Sequence, residues 1–235
     1  MKSTGETRAE ADHLETLLTF GNDFDRKIAR GVPGSYGDPD FTGKTVLDIG
    51  AQIGAFSVYA AWKGAKRILA VEPLPRNLEV LKVNAAKYPQ IEVFEGAAVT
   101  DVTIPRVITS GAEITNHSDS NFGHSILRVK KELKPSSRVA THPVSLFSFR
   151  GLLACNPHII KMDCEGSEHE MLEGFVAGPE VEALLLEVHF FDYRVQKGWK
   201  DRLQALLDQG FRIVRGRPSI IKGIGQYGIL TLLRG

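Results

Sequence analysis

The chain has 235 residues, 43% of them hydrophobic and 24% charged, and its 29 lysines and arginines nearly balance 28 aspartates and glutamates. This composition predicts a sizeable core, the balanced charge disfavours nucleic acid as a partner, and two cysteines are too few for a disulfide framework or a zinc site of their own. Because no apolar run approaches the roughly 20 residues of a membrane span and the first residues lack a secretory signal, we expect a soluble, cytoplasmic protein without a membrane partner.

Residues 1–43 are predicted to form a polar N-terminal cap. Leu14, Leu17 and Leu18 have helical spacing. The stretch GVPGSYGDPDFTG, residues 31–43, has the glycine and proline content of a loop. Tyr36 in this stretch precedes the first predicted strand and could cap a site there.

From Lys44 onward, apolar strand-like runs alternate with helical patterns, which is typical of an α/β fold with a parallel sheet. The predicted strands are KTVLDIG (44–50), RILAVEP (67–73), IEVFEG (91–96), HIIKMD (158–163) and ALLLEVHF (183–190). The predicted helices cover residues 55–64, 75–88, 145–154, 167–175 and 199–210. The last two runs, 211–216 and 227–233, leave no room for a crossover helix, so we expect them to pair antiparallel.

The alternation is interrupted between residues 97 and 146, where short β-like runs mix with turn residues. This stretch is too short and too polar to form its own core. We therefore expect an insertion beside the active site of a single domain that spans residues 1–235. Asn121 and His124 within the insertion could reach over the site.

The stretch VLDIGAQIGAFS, residues 46–57, ends a buried strand with a carboxylate and two glycines. In open parallel sheets, ligands bind at the carboxyl ends of the strands. Gly50 and Gly54 let the backbone turn and a ligand approach closely, while Ala51 keeps the surroundings small. Asp48 at the strand end can accept hydrogen bonds from a loop or from the ammonium group of a ligand.

The second strand ends on Glu72, where a carboxylate suits the two hydroxyls of a ribose. Together with the glycine turn, this residue predicts an adenosine-containing cofactor. A nicotinamide-binding turn reads G-x-G-x-x-G, with a middle glycine that makes room for a pyrophosphate, whereas Gln52 stands in that position here. S-adenosylmethionine carries no phosphate and has a positive amino-acid end, which matches a turn that bears a carboxylate.

Acidic residues and a histidine follow two later strands. HIIKMDCEGSEHE ends its strand at Asp163 and continues with Glu165, and ALLLEVHFF ends with Glu187 and His189 on one face. Adjacent parallel strands would bring these four side chains around one pocket. An alcohol needs help to lose its proton, and His189 is the best proton acceptor on intrinsic pKa. Asp163 and Glu165 are the alternatives, or they could orient the acceptor.

A cluster of carboxylates and a histidine can also hold Mg²⁺ or another divalent ion, which would polarise an alcohol. The same spacing arises at an acidic helix start, and Glu168 suits that position. A divalent metal is therefore an alternative that we do not favour.

Four segments together resemble the FkbM-type family of S-adenosylmethionine-dependent methyltransferases: VLDIGAQIGAFS, AVEPLPRNLEVLKVN, EGAAVTD and IIKMDCEGSEHEMLEG. The resemblance implies a Rossmann-like fold, a seven-stranded mostly parallel sheet with an antiparallel C-terminal strand. It implies methyl transfer to a hydroxyl of a sugar or another small molecule. The implied cofactor residues are Asp48, Gly50, Ala51 and Gly54 around the methionine moiety, Glu72 at the ribose, and Gly96, Ala97 and Ala98 at the adenine. Gln52 replaces the asparagine usual in that turn.

Three other functions are compatible with the sequence. An RNA methyltransferase would share the motifs, but the balanced charge disfavours it. A nicotinamide-dependent oxidoreductase is disfavoured by Gln52. A non-catalytic cofactor-binding module is disfavoured by the acidic pocket, because buried carboxylates are costly without a task.

Overall fold

A computed structural model describes residues 3–104, 106–109, 125–128, 141–190, 193–216 and 226–235. The helices are α1 (Thr4–Leu17), α2 (Asp23–Ser35), α3 (Ala55–Trp62), α4 (Pro75–Ala85), α5 (Phe149–Leu153), α6 (Glu168–Leu172) and α7 (Tyr193–Asp208). The strands are β1 (Thr45–Ile49), β2 (Arg67–Glu72), β3 (Ile91–Glu95), β4 (Ala97–Val99), β5 (Arg106–Thr109), β6 (Ser125–Arg128), β7 (Thr141–Pro143), β8 (Leu146–Ser148), β9 (Ile159–Met162), β10 (Ala183–Phe190), β11 (Phe211–Arg215) and β12 (Gln226–Arg234).

Seven of these strands form one sheet in the order β11-β12-β10-β9-β1-β2-β3. The five strands from β10 to β3 are parallel to their neighbours, while β12 pairs antiparallel with both β10 and β11. The predicted fold class is confirmed, including the antiparallel C-terminal strand. The order reverses at β1, with β2 on one side and β9 on the other, and this reversal creates a crevice at the carboxyl ends.

Helices cover both faces of the sheet, which explains why its strands are continuous apolar runs. Along β1, Val46 packs into the core beneath α1 to α4, and Leu47 packs into the core on the opposite face. Both side chains are fully buried. No helix in the described part of the chain is long and apolar enough to cross a membrane.

The N-terminal region contains a helix that the sequence analysis missed. The predicted loop over residues 31–43 is wrong in its first part, because α2 continues to Ser35 with Pro33 inside it. The helix begins at Asn22, whose side chain accepts a hydrogen bond from the Asp25 amide. Burial of Val32 in the core, together with burial of Pro33, outweighs the low helix propensity of this stretch.

The segment between β3 and β9 also differs from the prediction. The helix expected over 145–154 starts as the strand β8, and Ser148 then caps the short α5 by accepting a hydrogen bond from the Gly151 amide. β8 pairs parallel with β4, so the two ends of the predicted insertion lie side by side. Between them, β5 pairs with β6 and β7. Asn121 and His124 lie outside the described residues.

Candidate active site

A cavity of about 290 Å³ lies at the carboxyl ends of β1, β2, β9 and β10, beneath α2. Most of its wall is apolar or backbone, with six charged side chains among the described lining residues. Four are acidic and two are basic: Glu72, Asp163, Glu165, Glu187, Lys27 and Lys161. The predicted site residues Gly50, Ala51, Gly96, Ala97 and Ala98 also line it.

The glycine turn after β1 forms one edge of the cavity. The amides of Gly50 and Ala51 both donate to the carbonyl of Val71, at 2.9 and 3.1 Å, which joins the tips of β1 and β2. Gly50 has φ +78°, and a Cβ there would lie 1.7 Å from the carbonyl oxygen of Asp163. The turn therefore requires glycine at this position, and the reason is packing against the tip of β9.

Glu72 lies next to this turn, with its carboxylate held by the protein. Its Oε1 accepts hydrogen bonds from the Leu74 amide at 2.9 Å and from Asn77 Nδ2 at 3.1 Å. Its Oε2 accepts one from the Gln52 amide at 2.9 Å. Burial raises the pKa of Glu72, and these three donors oppose that rise. Asn77, which the sequence analysis did not single out, also lines the cavity.

The structure places Asp48 and Gly54 behind the wall, which corrects their predicted contact with a ligand. Asp48 is fully buried, accepts a hydrogen bond from Ser57 Oγ at 2.7 Å, and lies 3.2 Å from Lys161 Nζ. Gly54 begins α3 at φ +83°, with Leu81 where a side chain would extend. Both shape the turn from the protein interior.

Lys161 is a site residue that the sequence analysis missed. It lies in β9 within an apolar run, and its side chain is only 4% exposed. Its Nζ donates to the Gly50 carbonyl at 2.6 Å and lies 3.7 Å from Asp163 Oδ2. Burial alone would lower the pKa of Lys161, but the charges of Asp48 and Asp163 raise it. The sequence signal that could have identified this residue was a lysine inside an otherwise apolar strand, because a buried ammonium requires acidic partners.

Three carboxylates lie close together at the tips of β9 and β10: Asp163, Glu165 and Glu187. All three line the cavity. The hydroxyl of Tyr36 donates to Asp163 Oδ2 at 3.3 Å, and burial, followed by the charge of Asp163, raises the pKa of this phenol. Burial and then the charge of Asp163 raise the pKa of Glu187 to about 7. Glu187 thus has the protonation behaviour of a general base near neutral pH.

His189 lies behind these carboxylates and is not one of the described cavity-lining residues. Its Nδ1 is 2.9 Å from Glu168 Oε1, and its Nε2 is 3.5 Å from Glu165 Oε2 and 3.7 Å from Glu187 Oε1. Burial would lower the pKa of His189, but the hydrogen bond and charge of Glu168 raise it to about 9. The role of His189 as proton acceptor stays a prediction, and a pKa raised to about 9 favours the protonated ring at neutral pH.

Glu168 holds His189 in this state. The carboxylate is fully buried and accepts hydrogen bonds from the His189 amide at 2.6 Å and from the Gly166 amide at 2.9 Å. Burial acts to raise the pKa of Glu168, but the hydrogen bond and charge of His189 lower it. Glu168 is therefore the partner of an imidazolium as well as the first residue of α6.

The geometry of this cluster would allow a divalent cation to bind. One ligand atom each from Asp163, Glu187 and His189 lie within 4.8 Å of one another. The Lys161 ammonium near Asp163 and the protonated His189 ring place positive charge where such an ion would bind.

Comparison with known proteins identifies the family of the chain. The model of the FkbM methyltransferase domain matches residues 48–213. AMB antimetabolite synthetase AmbE of Pseudomonas aeruginosa is 25% identical over 223 aligned residues, which cover 81% of this chain and 10% of the synthetase. The chain thus spans about a tenth of the length of that relative.

Two of the solved structures that are similar to this one are given as examples. A suggested RNA methyltransferase from Pyrococcus horikoshii has a TM-score of 0.49 and 16% identity, with 100% of this chain and 98% of that chain covered. An FkbM methyltransferase from Methylobacillus flagellatus has a TM-score of 0.47 and 14% identity, with 97% and 59% covered.

The glycine turn gives a stability prediction. We expect Gly50→Ala to destabilise the protein by more than about 3 kcal/mol, because the added methyl would displace the backbone at the tip of β9. Gly43→Ala is the matched control: Gly43 has φ +71° but nothing within 4 Å of an added Cβ, so the cost should be about 1 kcal/mol. Urea unfolding followed by circular dichroism measures both, and equal losses would contradict the packing argument.

The Glu168–His189 pair gives a pH prediction. A histidine whose folded-state pKa is about 9 stabilises the fold fully below its unfolded pKa, about 6.5, and this contribution disappears as pH rises through 9. The stability difference between the wild type and His189→Gln should therefore shrink by roughly 3 kcal/mol from pH 6 to pH 9.5. Urea unfolding across this pH range tests the prediction, with His13→Gln, at an exposed position of α1, as a control. Parallel stability curves for the wild type and His189→Gln would rule out the ion pair.

Proposed function

The chain belongs to the FkbM methyltransferase domain family, and we propose that it transfers the methyl group of S-adenosylmethionine to a hydroxyl of a sugar or another small molecule. One observation carries the proposal. A single cavity has Glu72 on one wall and the carboxylates Asp163, Glu165 and Glu187 on another, with the Gly50 turn between them.

The charge of the cavity suits this donor. S-adenosylmethionine supplies an electrophilic methyl group on a positively charged sulfonium centre. The described wall carries four acidic side chains against two basic ones, and one of the two, Lys161, is neutralised from behind by Asp48. A negative wall attracts a sulfonium and an ammonium group and repels a pyrophosphate.

The ribose end of the donor fits Glu72 and Asn77. A carboxylate has about four acceptor positions, of which the protein uses three here, so Glu72 Oε2 can accept a further bond from a ribose hydroxyl. Gly96, Ala97 and Ala98 offer small side chains and backbone next to it, as an adenine ring requires.

A nicotinamide cofactor fits this turn less well. Gln52 has φ +52° and occupies the place of the glycine that would approach a pyrophosphate. Its side-chain amide lies 3.5 Å from Asp25 Oδ1 of α2, so these two side chains occupy the space next to the turn that a pyrophosphate would need.

For the acceptor, we assign proton removal to Glu187. Its carboxylate lines the cavity and its pKa is about 7, so the Oε1 or Oε2 atom can take the hydroxyl proton at neutral pH. Asp163 and Glu165 orient the acceptor hydroxyl beside it. His189, as an imidazolium, stabilises both Glu165 and Glu187 from behind the wall.

A small-molecule acceptor is favoured over RNA. The described wall presents carboxylates where an RNA backbone would require cations, and the net charge of the chain is only +1. The relative from Pseudomonas aeruginosa is named as an antimetabolite synthetase, which also favours small-molecule chemistry.

Donor binding tests the cofactor assignment. Isothermal titration calorimetry should show that the wild type binds S-adenosylmethionine and S-adenosylhomocysteine but not NAD. Glu72→Gln should weaken both by roughly 1–3 kcal/mol, because it removes a charge-assisted acceptor while keeping the side-chain volume. Glu79→Gln, on the exposed face of α4, is the control. Binding of NAD, or unchanged affinity of Glu72→Gln, would refute the assignment.

The pH profile tests the proton acceptor. With a methyl-labelled donor and an acceptor found in a panel of sugars and polyols, log kcat/KM should rise with unit slope below about pH 7 and level off above it, because only ionised Glu187 accepts a proton. Glu187→Gln should lower turnover by about 10²–10⁴-fold, and Glu173→Gln on the surface should not. If a chelator abolished the wild-type rate and Mg²⁺ restored it, a metal would be performing the activation instead.

A further inference from the structure

Lys161 carries a charge at a buried strand position where stability requires only an apolar side chain. It lies in β9 directly opposite Asp48 of β1, so the two side chains extend from the same face of the sheet. Ile160 and Met162, its neighbours along the strand, are fully buried. An apolar residue at position 161 would pack without a desolvation cost, whereas a buried ammonium must be neutralised.

The Lys161 ammonium group lies near three oxygen atoms on two strand tips, with a hydrogen bond to one and ion pairs with the other two. An ammonium has three N–H donors. Nζ is 2.6 Å from the Gly50 carbonyl oxygen, 3.2 Å from Asp48 Oδ1 and 3.7 Å from Asp163 Oδ2. Asp48 is interior, but Gly50 and Asp163 line the cavity. The same cation therefore ties the turn after β1 to the carboxylate after β9.

We propose that Lys161 is a positioning residue, which holds the Gly50 turn and the Asp163 carboxylate at a fixed separation, so that the turn receives the amino-acid end of the donor and Asp163 faces the acceptor hydroxyl beside it. This inference rests on the proposed function for the identity of the donor. Asp48, which accepts a hydrogen bond from Ser57, pairs with the lysine from the interior side, so that its ammonium does not face the cavity as an unneutralised positive charge that would repel a sulfonium.

A purely structural role predicts something different. If Lys161 only neutralised Asp48, removing both charges together would restore a normal protein, because replacing a complete buried ion pair with neutral groups is often tolerated. If Lys161 positions the turn and Asp163, the doubly neutral protein would fold but would have lost the tie between the two strand tips.

The experiment compares the wild type with the double variant Asp48→Asn/Lys161→Met. We expect the double variant to keep its urea unfolding midpoint, while its affinity for S-adenosylhomocysteine, measured by calorimetry, falls about tenfold to a hundredfold. Without any ligand, hydrogen exchange of the peptide covering residues 46–57 should be about tenfold faster, because the turn has lost its tie. Lys44→Met, which removes a lysine bonded to Glu182 away from the cavity, should change neither readout.

Each outcome is decisive. Wild-type affinity and wild-type exchange in the double variant would overturn the positioning role while the proposed function stands. A double variant that fails to fold would assign the lysine to stability and would also overturn it. If the wild type itself does not bind S-adenosylhomocysteine, the proposed function fails, and hydrogen exchange alone then decides whether Lys161 restrains the turn.

Discussion

The site depends on one buried cation between two strand tips. Lys161 can be ionised inside the protein only because Asp48 lies opposite it at 3.2 Å, and this pairing requires β1 and β9 to be neighbours in register. Those two strands flank the point where the sheet order reverses. The constraint that neutralises the lysine is therefore also the one that opens the crevice and places the Gly50 turn against Asp163.

The same arrangement occurs a second time on the next strand. A buried acid, Glu168, holds a cation, His189, and this cation faces the wall carboxylates Glu165 and Glu187. In both cases the order from the interior to the cavity is acid, cation, acid. The interior acid keeps the cation charged, and the cation keeps carboxylates clustered on the wall despite their mutual repulsion. The surface of the wall therefore presents negative charge to a ligand, while the cations behind it largely balance the charge of the acids.

Much of the fold and part of the site could be predicted from the sequence. The apolar runs identified the strands of the main sheet, and strand ends followed by glycine or acid identified the cavity. The face of the sheet from which each side chain extends was not predictable in the same way. Asp48 and Asp163 both stand at strand ends, but only the register with Lys161 shows that the first faces the interior. The helix α2 was missed because Gly31, Pro33 and Gly34 are typical of loops, and tertiary burial keeps this last part of the segment helical.

The carboxylate wall of the cavity is built from parts that are distant in sequence. Tyr36 at the end of α2 donates to Asp163, and its carbonyl accepts a hydrogen bond from Thr231 of β12 at 2.8 Å. Antiparallel pairing of β12 with β10 places Ile229 opposite Glu187. The N-terminal cap, β9, β10 and the final strand therefore meet around the same carboxylates. The positions of these residues are set by tertiary contacts and need follow no local sequence pattern, whereas the Gly50 and Glu72 side of the cavity is set by one turn and one strand end.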